Sequence, residues 1–149
     1  MVGHIVVTQG PSMQLLANID VDDLAKATDF YCNALGLEVG RRFGNSGVEL
    51  LGASSAIYLL EKSAGSPAVT TGDLSLRRDY ARHWTPVHLD FVVPELDIAL
   101  QHAKAAGARL EGEVRTARWG RIAVLADPFG HGFCLIQFLN RGYDEIAEK

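Results

Sequence analysis

Of the five histidines in the chain, His88 sits in the setting best suited to chemistry, inside the apolar run Val87 to Val93. An imidazole gains and loses its proton near neutral pH, so in a partly apolar cleft it could shuttle a proton or grip a ligand. The plainer alternative is a histidine hydrogen-bonded to a neighbouring strand. His83 and His102 read as loop and helix surface, and His131 as part of the turn Asp127-Pro128-Phe129-Gly130-His131-Gly132. Cys32 and Cys134 form no CxxC pair and read as reduced thiols, Cys134 as a small buried hydrophobe rather than a nucleophile. Trp84, Trp119, Phe43 and Tyr58 could wall a cavity and stack on a planar ligand, or be core and edge residues. There is no GxGxxG or phosphate loop, no GxSxG elbow and no HExxH helix, and Gly44-Asn45-Ser46-Gly47 reads as a hairpin turn.

The elements that must hold these side chains occur twice. Val21, Leu24 and Ala27 recur 72 residues later as Val93, Leu96 and Ala99. In each copy a strand-like run comes first, an alanine-rich amphipathic helix follows, and a glycine (Gly36, Gly107) ends it. Two copies are too few for a solenoid. They suit a two-module domain with a pseudo-twofold axis and a concave site where the halves meet.

Module one, residues 13–62, reads as a strand from Met13 to Val21, a helix capped by Asp22 or Asp23, and strands Leu37 to Phe43, Val48 to Leu51 and Ala56 to Lys62. Along the first strand Leu16, Asn18 and Asp20 share one face. From Ser63 to Trp84 the pattern dissolves into small, polar and charged residues, a linker long enough to serve as a lid or an arm. Module two, residues 85–140, repeats the order: strand Val87 to Val93, helix Glu95 to Ala106, then strands Arg109 to Thr116, Arg121 to Ala126 and Phe133 to Leu139. A helical tail covers residues 141–149, and residues 4 to 8 read as a short strand or arm outside the repeat.

At 149 residues, nearly half of them apolar, the chain makes one domain, able to bury roughly 70% of its unfolded surface. A net charge of −4 argues against a nucleic-acid partner. Arg77, Arg78 and Arg82, and Arg115, Arg118 and Arg121, read as solvated loop and strand edges. No apolar run is long enough for a membrane span and no signal peptide is evident, so the expected location is cytoplasmic.

The motifs Val21-Asp22-Asp23-Leu24, Asp29-Phe30-Tyr31, Ala34-Leu35-Gly36-Leu37, Val87-His88-Leu89-Asp90-Phe91-Val92-Val93 and Asp127-Pro128-Phe129-Gly130-His131 resemble the vicinal oxygen chelate superfamily. That group includes glyoxalase I, extradiol dioxygenases, fosfomycin-resistance enzymes and bleomycin-resistance binding proteins, and the likeness covers about residues 13 to 140. It implies an α+β fold of two tandem βαβββ modules whose sheets form an open, U-shaped cavity, and a homodimer. In metal-using members the ligands come from the first and last strands of each module. Carried over, those positions fall on Leu16, Leu59, His88 and Cys134, of which only His88 keeps its usual chemistry. The resemblance therefore implies binding of a small, partly apolar organic ligand without metal, as in drug-binding resistance members. Asn18, Asp20, Asp90, Tyr58, Trp84, Trp119 and Cys134 are the expected ligand contacts. The alternative is a glyoxalase-like lyase or isomerase, or a dioxygenase, with a divalent ion (zinc, nickel, manganese or iron) held by His88 and by Glu61, which shares a strand face with Leu59.

Overall fold

Asp23 takes the N-cap of the first helix: its backbone is extended, and its carboxylate accepts the Lys26 amide at 3.0 Å. The computed structural model describes residues 13–148; the arm expected at residues 4 to 8 lies outside them. β1 (Ala17–Val21), α1 (Leu24–Leu35), β2 (Glu38–Phe43), β3 (Gly47–Leu51) and β4 (Ile57–Glu61) form module one. β7 (Leu89–Val92), α2 (Leu96–Ala106), β8 (Arg109–Ala117), β9 (Gly120–Ala126) and β10 (Gly132–Phe138) form module two. Asp23→Ala should cost about 1 kcal/mol, read as a melting temperature lower by roughly 2–4 °C; an unchanged melting curve would mean the helix start is held by other contacts.

Each module closes a four-stranded mixed sheet, β1-β4-β3-β2 and β7-β10-β9-β8, with one parallel pair at its inner edge. Both modules are βαβββ units, as expected. α1 packs on α2, and the core runs from Phe30, Tyr31, Leu50 and Leu59 through to Leu96, Leu125, Phe129 and Leu135. Glycines end both helices in the left-handed region, Gly36 at φ 67° and Gly107 at φ 118°. α2 differs at its start: Glu95 makes no side-chain cap, and Gln137 on β10 accepts the Leu96 amide instead, at 2.8 Å.

The linker departs from its sequence reading. Pro67–Thr71 (β5) and Leu74–Arg77 (β6) pair as an antiparallel hairpin around the Gly72 turn. Its strands are exposed throughout, so apolar periodicity, which registers burial, had little to detect. The tail holds a single 3-10 turn, Gly142–Glu145, rather than a longer helix. Several arginines expected to be solvated are ion-paired: Arg78 with Asp20, Arg82 with Glu111, Arg118 with Glu145 and Arg121 with Asp97.

Candidate functional site

Strand alternation and burial decide which side chains face the concave floor. Ile57 and Leu59 on β4, with Val48 and Leu50 on β3, are at most 3% exposed and join the helix-side core. Leu59 therefore cannot occupy a floor position, which corrects the expectation that placed it beside a ligand. Glu61 shares the parity of Leu59, lies exposed at the strand end opposite Val21, and is absent from the cavity wall. The register identifies the true counterpart. Asn18 and Asp90 are pseudo-equivalent at the 72-residue offset; Asn18 pairs with Tyr58 and Asp90 with Cys134. Tyr58, one residue earlier than expected, thus matches Cys134. A one-residue slip inverts the face, and the sequence offers no internal marker of register on this short apolar strand.

On the module-two floor the donor atoms of His88, Asp90 and Cys134 lie within 4.8 Å of one another. His88 Nε2 stands 3.1 Å from Asp90 Oδ1. The contact is an ion pair when the imidazole is protonated. Burial first, then the charge of Asp90 beside it, push the Cys134 thiol up to about 11, so it stays protonated. The Trp84 ring lies 4.6 Å from the His88 ring, centroid to centroid. Trp84 can lie there because position 132 is glycine: a Cβ on Gly132 would come within 2.2 Å of the indole.

The module-one floor carries a polar cluster that the sequence reading missed. Glu49 is buried on β3; Arg41 donates to it through its backbone and guanidinium N–H groups, and Tyr58 donates through its hydroxyl at 2.9 Å. These bonds, the Arg41 side chain first, hold the Glu49 carboxyl down to about 2. Gly40 makes the seat possible, since a Cβ there would stand 2.6 Å from the carboxylate. Tyr58 is therefore committed to Glu49.

Between the two floors β1 and β7 each lack a strand partner on the inner side among the described residues, and a cavity of about 660 Å³ opens there. Leu16, Ile19, Val87, Leu89, Phe91 and Phe133 make it mainly apolar, with Asn18, Asp20, His83, His88 and His131 as its polar points. Of the expected ligand contacts, Asn18, Asp20 and His88 reach this wall; Asp90, Cys134 and Trp84 adjoin His88. The Asp20 carboxylate is taken by Arg78 at 2.9 Å. Trp119 is elsewhere, packed against Phe138 and Tyr143 of the tail.

His131 and His83, read from sequence as turn and surface, join the modules instead. His131 Nε2 meets the Asp20 carbonyl at 2.7 Å, and His83 Nε2 meets His131 Nδ1 at 2.7 Å. Beneath them Asp127 accepts the amides of Phe129 and His131 and, at 2.5 Å, the hydroxyl of Tyr31 from α1. Burial first, then Asp127, raises the Tyr31 phenol well above its ordinary value, so it remains a donor. Only the DPFG turn motif hinted at this junction.

Residues 17–136 match the glyoxalase-like domain family. The chain belongs to that family, and with it to the vicinal oxygen chelate superfamily. It is 33% identical over 127 residues to an uncharacterized protein of Mycobacterium bovis, covering 83% of this chain and 82% of that protein. It is 27% identical over 141 residues to the anthracycline biosynthesis protein DnrV of Streptomyces peucetius, covering 95% of this chain and 46% of DnrV. In structure it resembles the fosfomycin resistance protein FosX of Listeria monocytogenes, at TM-score 0.68, 22% identity, and coverage of 93% of this chain and 100% of FosX. It also resembles lactoylglutathione lyase from Agrobacterium tumefaciens, at TM-score 0.58, 18% identity, and coverage of 87% and 96%. These structural likenesses carry the fold. A FosX structure has been solved with Mn(II), so the family raises the question of a metal here. The donors of this glyoxalase-like chain fit manganese poorly, because a thiol is soft and Mn(II) prefers oxygen ligands. In number and type, one imidazole, one carboxylate and one thiol would suit zinc.

Proposed function

We propose that this glyoxalase-like protein binds a small, partly apolar organic molecule in the cavity between β1 and β7, without a metal, in the manner of the drug-binding members of its superfamily. The observation that carries this reading is the cavity itself, about 660 Å³ and walled mainly by Leu16, Ile19, Val87, Leu89, Phe91 and Phe133. The Cys134 thiol, held protonated by burial and the Asp90 charge, would have to lose its proton before it could bind an ion. Leu16, the module-one equivalent of His88, adds an apolar wall where an ion would need a donor. His88, which lines the cavity with the Trp84 ring 4.6 Å away, is the group that grips the ligand. The role of DnrV in anthracycline biosynthesis is in keeping with an organic ligand. A homodimer completes the proposal, because β2 and β8, the outer edge strands of the two sheets, each lack a second strand partner among the described residues.

A second reading, a zinc-dependent lyase, isomerase or dioxygenase, rests on the three clustered donors. Thermal denaturation separates the two. An ion at 100 times its Kd stabilises the native state by about 2.7 kcal/mol, or roughly 5–10 °C in a domain of this size. Zinc, nickel, manganese and iron(II) should each move the melting temperature by less than about 1 °C. Compounds from a panel of small aromatic and aliphatic molecules that raise it in the wild type should raise it less in His88→Gln. A metal-induced rise that vanishes in both His88→Ala and Cys134→Ala would replace the binding reading with the zinc one.

A further inference from the structure

The two histidines at the seam take no part in the proposed ligand grip, and their bonding is unusually constrained. The Asp20 carbonyl can only accept, so His131 carries its proton on Nε2. His131 Nδ1 is then bare and accepts from His83 Nε2. The chain of bonds runs from β1 of module one, through the β9–β10 turn of module two, to the last residues of the linker. The linker reinforces it with the His83 amide on the Gly130 carbonyl at 2.9 Å. Both imidazoles line the cavity. We propose that His83 and His131 form a proton-operated clasp that holds the end of the linker against the cavity at neutral pH and releases it on acidification.

The chemistry is that of a coupled pair. A first proton, on His83 Nδ1, leaves His83 Nε2–H still donating to His131. A second puts N–H groups on both facing nitrogens and breaks the bond. The surroundings supply little to neutralise that second charge. Asp20 of β1 is bound by Arg78, Glu111 of β8 by Arg82, and Asp127 of the turn by Tyr31 of α1 and two amides. Asp79 accepts the Ala81 amide, and Tyr80 presents its ring to His131 at 6.1 Å. Arg82 is itself cationic beside His83. Burial, then His131 and Arg82, hold the His83 imidazole below its ordinary value, against weaker pulls from Asp127 and Asp79. A histidine that holds its proton less well folded than unfolded contributes fully above about pH 6.5 and loses that contribution as the pH falls below it.

The clasp is independent of the ligand reading and is tested without a ligand, by amide hydrogen exchange corrected for the intrinsic pH dependence. Between about pH 7.5 and about pH 5 the protection of the His83 amide should fall at least tenfold while amides of β10 hold theirs. His83→Gln cannot titrate, and its side-chain amide can donate to a bare His131 Nδ1 or accept from a protonated one, so its residue-83 backbone amide should change less than about twofold over the same range. A wild-type amide that stays protected, or an equal fall in His83→Gln, would overturn the clasp. Nitrogen-15 spectra of the wild-type imidazoles give a second reading that no substitution can disturb. They should show His131 protonated on Nε2 at neutral pH and two coupled steps on acidification; independent single titrations of the two rings would equally overturn it.

Discussion

Asp127→Ala is expected to destabilise the domain by about 3–5 kcal/mol, because it leaves several buried donors without an acceptor at once. The Tyr31 hydroxyl and the amides of Phe129 and His131 all point at this carboxylate, which is 6% exposed. Its loss also cuts the polar tie between α1 and the β9–β10 turn. For a domain of this size the melting temperature should fall by roughly 6–20 °C. Asp127→Asn keeps an oxygen for the two amides and offers its own N–H to the tyrosine oxygen, so it should cost only about 1 kcal/mol. Thermal or urea denaturation of the two variants decides the point, and an alanine variant as stable as the asparagine one would show that the tie contributes little.

Gly130→Ala should be nearly as damaging, for a steric reason. Gly130 has φ 81°, and a Cβ there would stand 2.3 Å from the Ala81 carbonyl oxygen and 2.6 Å from that of Tyr80. The obstacle is backbone, so the linker itself must lift, taking with it the His83 amide bond and the paired imidazoles. The left-handed backbone alone costs a side chain about 1–2 kcal/mol, and overpacking adds about 1–3 kcal/mol. Gly44→Ala is the control: its φ is 57° and nothing lies within 4 Å of a Cβ, so it carries the backbone cost alone. Trypsin cleavage at Arg78 and Arg82 should accelerate at least about tenfold in Gly130→Ala and remain near wild type in Gly44→Ala. Equal stability and cleavage in the two variants would rule out the linker contact as the cause.

The sequence by itself determined the duplicated βαβββ order and both helices with their terminal glycines, and it set His88 at the first strand of module two, which the structure begins one residue later at Leu89. Those features are local: a buried helix stripe and an alternating strand leave periods of 3.6 and 2 in the residues themselves. Tertiary structure decided how the strands register against one another. Register moved the floor position from Leu59 to Tyr58, turned Glu61 away from the cavity, and brought the donor atoms of His88, Asp90 and Cys134 within 4.8 Å of one another. Only tertiary structure could make Glu49 a buried carboxylate, because its partner Arg41 reaches it across a bulge in the neighbouring strand. Likewise Trp119 met the tail rather than the cavity. His131 and His83 stand 48 residues apart in the chain and 2.7 Å apart in space, and His131 lies 111 residues from the carbonyl it binds. No periodic pattern encodes contacts at such separations, because they arise from how two modules and a linker pack together.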